Sequence, residues 1–280
     1  MNKPYIIKSI QDIITIGTCL SESWFRGHPE TYNNLTPGIF REKYSFQFSV
    51  KPDFELRIYE EFKRIAPSLS NMDYSSYGDI EWLFVMQQYG LPTRLLDWSE
   101  SILVAAFFAV EKIHESDAEL WALFPDKLNH KYGFEGMPII RYNKDLQFLA
   151  SEHRHTNPKG LSKELNLKKI PDTPMALRPP IQFDRMVFQQ SVFTIHPKPK
   201  RNKSIESILP DKEHLIRYLI PKNFKKKILS DLYSIGINRR TLFGDLISLS
   251  ESIIEKEKTI AYTPPSPPKL TPPTKVPKFF

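Results

Sequence analysis

A single cysteine, Cys19, stands in a chain of 280 residues. That excludes an intramolecular disulfide, a multi-cysteine zinc site and a CxxC redox pair, and a reducing cytoplasm is the expected setting. Cys19 follows the apolar stretch IITIGT, where a thiol is expected to act as a small buried hydrophobe. Long apolar runs are also missing: the longest, Ile102 to Val110, falls well short of the roughly 20 residues that cross a bilayer. Lys8, Gln11 and Asp12 interrupt the N-terminal segment and no cleavage pattern follows, so neither a membrane partner nor export is expected. There is no glycine-rich phosphate loop, no GxSxG elbow and no HExxH pair, which removes the commonest nucleotide-triphosphatase and hydrolase readings. His153 and His155 lie close together in HRH without a third ligand, so no metal is expected.

What is present is a core. The chain is 40% hydrophobic and 12% aromatic, enough to bury one large domain. The net charge of +7 is less informative than it looks, because Lys269, Lys275 and Lys278 stand in a terminal segment without acids. The rest is spread over the first 262 residues, with a local excess between Lys198 and Lys227. That excess lacks the interleaved aromatics of a single-strand groove, so nucleic acid is not the favoured partner. From Thr263 the sequence turns to TPPSPPKLTPPTKVPKFF. Proline lacks a backbone donor and favours extended structure, so residues 263–280 are expected to form a disordered tail, in the first place a plain linker and in the second a PxxP ligand for a partner domain.

Helical spacing of apolar residues marks Asp53 to Ile65, ended by Pro67; Asp79 to Tyr89, ended by Gly90; and Ser99 to His114, apolar on most faces. Asn223 to Ser234 and Thr241 to Glu255 follow the same pattern. Ser23 to Arg26, Glu119 to Phe124, Met137 to Arg141, Met186 to Ile195 and Leu215 to Ile220 read as strands. The order lacks regular alternation, so the fold class is α+β, a mixed and mainly antiparallel sheet with flanking helices. The polar stretch Asn143 to Asp172 reads as a mobile connection. One domain over residues 1–262 is expected, with its core over about 20–256.

Three segments concentrate polar groups inside apolar surroundings. In Trp24-Phe25-Arg26-Gly27-His28-Pro29, Arg26 is held near the core, and Gly27 allows another backbone or a ligand to come close. A guanidinium there suits a phosphate or carboxylate, or else an internal acid such as Asp97. The segment Gln87-Gln88-Tyr89-Gly90-Leu91-Pro92-Thr93-Arg94-Leu95-Leu96-Asp97-Trp98-Ser99 presents Tyr89, Thr93 and Arg94 around a turn. Asp97 there is either a helix cap, a partner for Arg94 or a site residue. In Gln182 to Phe193, a strand would place Arg185, Val187, Gln189 and Ser191 on one face, which is either solvent-facing or part of a site.

Together these segments resemble the FRG domain family of bacteria and phages, named for the tripeptide that stands here as Phe25-Arg26-Gly27. The longest likeness is QQYGLPTRLLDWSESILVAAFFA, Gln87 to Ala109, similar to the family pattern QHYGLPTRLLDWT and the small, apolar helix after it. Arg185 and Gln189 resemble its R-x-x-x-Q element, and IPKNFKKKILSDLYSIGINRRTLFGDL resembles its closing helix, GI turn and TLFPDL. Gln88 stands where the family commonly has His, Ser191 where it has Gly and Gly244 where it has Pro. The first difference removes a titratable group.

A more distant likeness to mono-ADP-ribosyltransferases implies a fold like theirs, NAD as substrate, and a toxin or defence protein that transfers ADP-ribose to an acceptor macromolecule or cleaves NAD. It implies that Arg26 holds the pyrophosphate, Tyr89 stacks near the nicotinamide and Gln189 orients the ribose or acceptor. Thr93 stands near the position of that family's Ser-Thr-Ser strand, and Arg94 lies beside it. Catalytic roles then fall to Gln189, Thr93 and Arg26, and cofactor contacts to Arg26, Tyr89, Thr93 and Arg94. Glutamine is no general base, so the chemistry would rest on positioning and electrostatics. The competing reading is a non-catalytic sensor that uses the same pocket to recognise a phosphorylated ligand or a nucleic acid.

Overall fold

The computed structural model describes residues 4–31, 34–44, 47, 53–112, 115–130, 174–196, 204–208 and 214–260. The expected strand Met137 to Arg141, the polar connection, the HRH histidines and the proline-rich tail lie outside the described residues. Among the described residues, seven strands form one sheet: β1 (Tyr5–Ile6), β2 (Trp24–His28), β3 (Leu95–Ser99), β4 (Ala118–Leu123), β5 (Met175–Leu177), β6 (Ser191–Ile195) and β7 (Leu215–Ile220). Their order is β1-β7-β4-β2-β3-β6-β5, and every pair except β1 with β7 is antiparallel. This is the α+β class with a mixed, mainly antiparallel sheet. No described helix is long and apolar enough to cross a membrane.

The register divides the sheet into two halves. β2 pairs with β4 over five residues and β3 with β6 over five, yet β2 meets β3 at one rung, Phe25 opposite Ser99. Beyond that rung β2 and β3 part. Side chains alternate along a strand, so Phe25 and Gly27 share a face with Ser99, Asp97 and Leu95, while Trp24, Arg26 and His28 share the other.

Each half is covered on the Phe25 face by its own helices. On the β2 side lie α1 (Ile10–Cys19), α4 (Ile102–Val110), α8 (Lys222–Ser234) and α9 (Arg239–Phe243), which contribute Ile13, Phe107, Ile228 and Leu242 to one core. On the β3 side, Tyr59 of α2 (Phe54–Leu69) and Phe84 of α3 (Asp79–Gln88) pack on Leu95, Phe193 and Ile195. Trp24, Leu96, Trp98, Trp121 and Val192 form a third cluster on the opposite face, drawn from both halves and joined by Ile205 of the short α7 (Ile205–Ile208). Burying side chains of this size stabilises by roughly 1.5–3 kcal/mol each, so each half has a core of its own.

Helix α4 comes unusually close to β2. A Cβ on Gly27 would lie 1.9 Å from the Ala105 carbonyl oxygen and 2.6 Å from the Ala109 nitrogen. The glycine of the Phe-Arg-Gly tripeptide thus admits a backbone, and the small residues of the AAFFA helix answer it. At the far edge of the sheet, Asn129 on α5 (Pro125–His130) donates to the Ala176 carbonyl and accepts from its N–H, both at 2.9 Å. Among the described residues a side-chain amide thereby stands where an eighth strand would pair.

Several expected boundaries move. Helix α2 passes through Pro67 to Leu69, because in the last turn a proline removes only one hydrogen bond. The expected helix from Ser99 starts at Ile102, capped by Ser101, since the preceding residues are drawn into β3; Asp97 is a strand residue and not a cap. Met186 to Ile195 is not one strand but α6 (Asp184–Phe188), a reversal at Gln190 with φ 47°, and β6. A three-residue apolar run such as Met186 to Phe188 reads equally as helix or strand. Thr241 to Glu255 is split at Gly244, whose φ of 67° ends α9 before α10 (Leu246–Ile260) begins. Cys19 is exposed rather than buried, since α1 turns that side away from the core.

Gly27→Ala is expected to destabilise the fold by about 3 kcal/mol or more, because two backbones must separate to admit the methyl group. Gly90→Ala, where φ is 82° and nothing lies within 4 Å, should cost about 1 kcal/mol from backbone strain alone. Chemical denaturation of the two variants checks the difference.

Candidate functional site

The parting of β2 and β3 opens a cleft of about 600 Å³. Its sides are β2 with α4, β3 with α3, and the α6–β6 turn, and Phe243 of α9 stands at its margin. Asn34, Thr36 and Arg41, from the loop after β2, complete the lining.

Arg26 spans the gap. Its Nη1 donates to the backbone carbonyl of Asp97 and lies 3.6 Å from Asp97 Oδ2, and its Nε donates to His28 Nε2 at 2.9 Å. The guanidinium therefore occupies the place where the next rung of the ladder would form. Its side chain remains 15% exposed and that of Asp97 51% exposed, so this is not a sealed internal pair. Burial draws the Arg26 pKa down, Asp97 opposes the shift, and the neighbouring charge of Arg41 reinforces it.

Under the cleft a buried polar chain fixes Arg26. His28 accepts from Arg26 through Nε2 and turns Nδ1 toward Glu119 Oε2, 3.6 Å away. Glu119 is fully buried, pairs with Arg217 and accepts from Trp121 Nε1 at 3.3 Å. Burial opposes ionisation of Glu119, but His28, Arg217 and Trp121 together hold its pKa below the ordinary value. Burial pushes His28 down to about 4 despite the neighbouring Glu119 carboxylate, and His196 down to about 3, aided by the charges of Arg26 and Arg94.

The far wall is tied down by charge. Arg185 and Arg239 stack on Phe243, with guanidinium carbons 4.7 Å and 5.0 Å from the ring centre. Arg239 pairs with Glu111 and Glu251, both at 2.6 Å, and Arg185 pairs with Asp245 at 3.4 Å. Burial raises the pKa of Glu111, with Arg239 opposing. Gln189 Nε2 donates to the Leu242 carbonyl at 3.1 Å.

The candidate residues from the sequence divide into two groups. Arg26 and Gln189 line this cleft, together with Asp97 and Arg185. Tyr89, Thr93 and Arg94 do not. Tyr89 is 58% exposed and meets Phe183 edge to face. Thr93 is buried behind Gln87, donating to Gln87 Oε1 at 2.6 Å and accepting from the Leu95 N–H at 3.0 Å. Arg94 is wholly buried and bound by two nitrogens to Glu55 of α2, not to Asp97. Arg41, Phe108, Glu111, Lys112 and Phe243 line the cleft without having been marked from the sequence. Phe108 was within reach of a sequence reading, as part of the AAFFA helix; Arg41 carries no motif.

Residues 21–118 match the family model of the FRG domain. The chain carries an FRG domain. The matched span of this FRG domain supplies β2, α2, α3, β3 and α4, hence the gap and the Arg26 wall, while Arg185, Gln189 and Phe243 lie beyond it. Comparison with curated proteins gives no match, and neither does comparison with solved structures.

The two histidines predict an acid-sensitive fold. Their pKa values are depressed in the native state, so the unfolded chain binds more protons between about pH 6.5 and 4. Stability is therefore full above pH 6.5 and falls as pH drops through that window, by roughly 3 kcal/mol for His28 alone. Thermal melts at stepped pH should show this slope, and His28→Gln should flatten it.

Proposed function

We propose that this FRG domain binds a phosphate-bearing nucleotide in the gap between β2 and β3, that NAD is that nucleotide, and that the chain cleaves it or transfers its ADP-ribosyl part, in the role of a toxin or defence protein. The observation that carries this reading is the pairing of Arg26 with Arg41 on one cleft lining. Their charges disfavour one another, although Asp97 weighs on Arg26 more than Arg41 does. An anion seated between them relieves that repulsion, and two guanidinium groups suit a pyrophosphate. A cleft of about 600 Å³ lies within the range of nucleotide-sized ligand sites.

Of the order implied by the likeness to mono-ADP-ribosyltransferases, the aromatic-Arg-Gly strand and the alanine- and phenylalanine-rich helix packed on it support the reading. Thr93, by contrast, stands outside the cleft, and Gln189 lies on the turn after α6 rather than on a strand. With the pyrophosphate at Arg26, the glycosidic bond between ribose C1′ and nicotinamide breaks and the electron pair leaves with neutral nicotinamide. Water or an acceptor then attacks C1′. Gln189 supports this by position: its Nε2 is bound to Leu242, so Oε1 is the end that accepts from a ribose hydroxyl.

The alternative is recognition of the same ligand without turnover. One observation favours it: His28, an imidazole of the cleft lining, is engaged by Arg26 and faces Glu119, and stays neutral down to about pH 4. Acid–base catalysis at neutral pH gains nothing from it.

Incubation of the full chain with NAD separates the two readings. Calorimetry measures binding and chromatography measures released nicotinamide. Arg26→Ala should weaken NAD binding by roughly 10- to 100-fold, the value of one or two charge-assisted bonds. Binding without nicotinamide release leaves recognition alone, and a wild-type chain that neither binds nor cleaves NAD ends the proposal.

A further inference from the structure

Asp97 has a different setting from the other acid of the cleft lining. Glu111 is 13% exposed and lies 2.6 Å from Arg239, which holds its carboxylate in the wall. Asp97 is 51% exposed and stands on β3 where the strand faces the gap. Both of its side-chain contacts fall on one oxygen: Oδ2 accepts from Gln87 Nε2 at 2.9 Å and lies 3.6 Å from Arg26 Nη1. Among the described residues Oδ1 has no partner.

The carboxylate is held by a directional relay. The Leu95 N–H donates to Thr93 Oγ1, and the single hydroxyl proton of Thr93 must then go to Gln87 Oε1. That fixes the Gln87 amide so that Nε2, not Oε1, faces Asp97. Thr93 is 1% exposed, so water does not compete for these bonds. A half-exposed aspartate needs no such support for solvation, and ordering the glutamine beneath it costs about 1–2 kcal/mol of side-chain entropy. The relay spans the segment Gln87 to Asp97 and links its polar members without placing Thr93 in the cleft.

We infer that Asp97 is the reactive carboxylate of this cleft and that Gln87 and Thr93 are its positioning residues. The inference rests on the reading of the cleft as an NAD-processing site. As the bond from C1′ to nicotinamide breaks and the pair leaves with nicotinamide, positive charge develops on the ribose, and the Asp97 carboxylate stabilises it. When the O–H or N–H of water or an acceptor attacks C1′, Asp97 takes the displaced proton and returns it to solvent. Arg26 is anchored mainly on the carbonyl of Asp97, so a change at the carboxylate leaves that anchor in place.

The test uses the full chain and the near-isosteric Asp97→Asn. Nicotinamide release is expected to fall by roughly 100-fold or more in kcat, with NAD affinity by calorimetry unchanged within about threefold. Thr93→Val should lower kcat by roughly 10-fold at unchanged affinity, and Thr93→Ser, which keeps the hydroxyl, should recover most of the rate. Wild-type turnover in Asp97→Asn overturns the inference while leaving NAD processing intact. NAD binding without release by the wild type overturns the inference and the catalytic reading together. Loss of folding or of NAD binding in Asp97→Asn assigns the residue to the scaffold or to ligand binding, and overturns it too. A Thr93→Val chain with unchanged kcat removes the positioning role.

Discussion

The structure depends on one missing hydrogen-bond ladder. β2 and β3 are neighbours, yet they share only the rung between Phe25 and Ser99. Unpaired backbone groups inside a sheet are costly, and Arg26 meets part of that cost by donating to the carbonyl of Asp97. The same substitution of a side chain for a strand creates a concave site, because a guanidinium fills less of the gap than a paired strand. The cleft is a by-product of how the sheet is left incomplete.

The three letters Phe-Arg-Gly then resolve into three physical tasks. Phe25 enters the core under α4, Arg26 bridges the gap from the opposite face, and Gly27 lets α4 approach to backbone contact. The buried chain from Arg217 through Glu119 and His28 to Arg26 supports the second task from below. Burying these groups is expensive unless each is paired, and their acid sensitivity follows from that burial. Arg94 performs a separate structural task, linking the approach to β3 with α2 through Glu55.

Much of this fold was legible because its signals are local. The apolar spacing of α2, α3 and α8 and the bounds of β7 depend on residues close in sequence. The candidate site was legible in part: Arg26 and Gln189 were marked, and both line the cleft. The gap itself was not, since it arises from the register of strands separated by about 70 residues and no local pattern encodes register. Arg94 looked like a ligand contact because its partner, Glu55, stands 39 residues away on a helix whose docking the sequence does not display. Short runs such as Met186 to Phe188 carry too few turns to separate a helix from a strand.

Asn129 gives the sheet an end. An outer strand normally offers a row of donors and acceptors to any passing chain, but at Ala176 of β5 both are already taken by one amide side chain. A side chain has no second edge to pass on, so pairing cannot propagate outward from that point. The molecule therefore leaves its backbone open within the sheet, where the cleft forms, and closes it at Ala176, where another chain would fit.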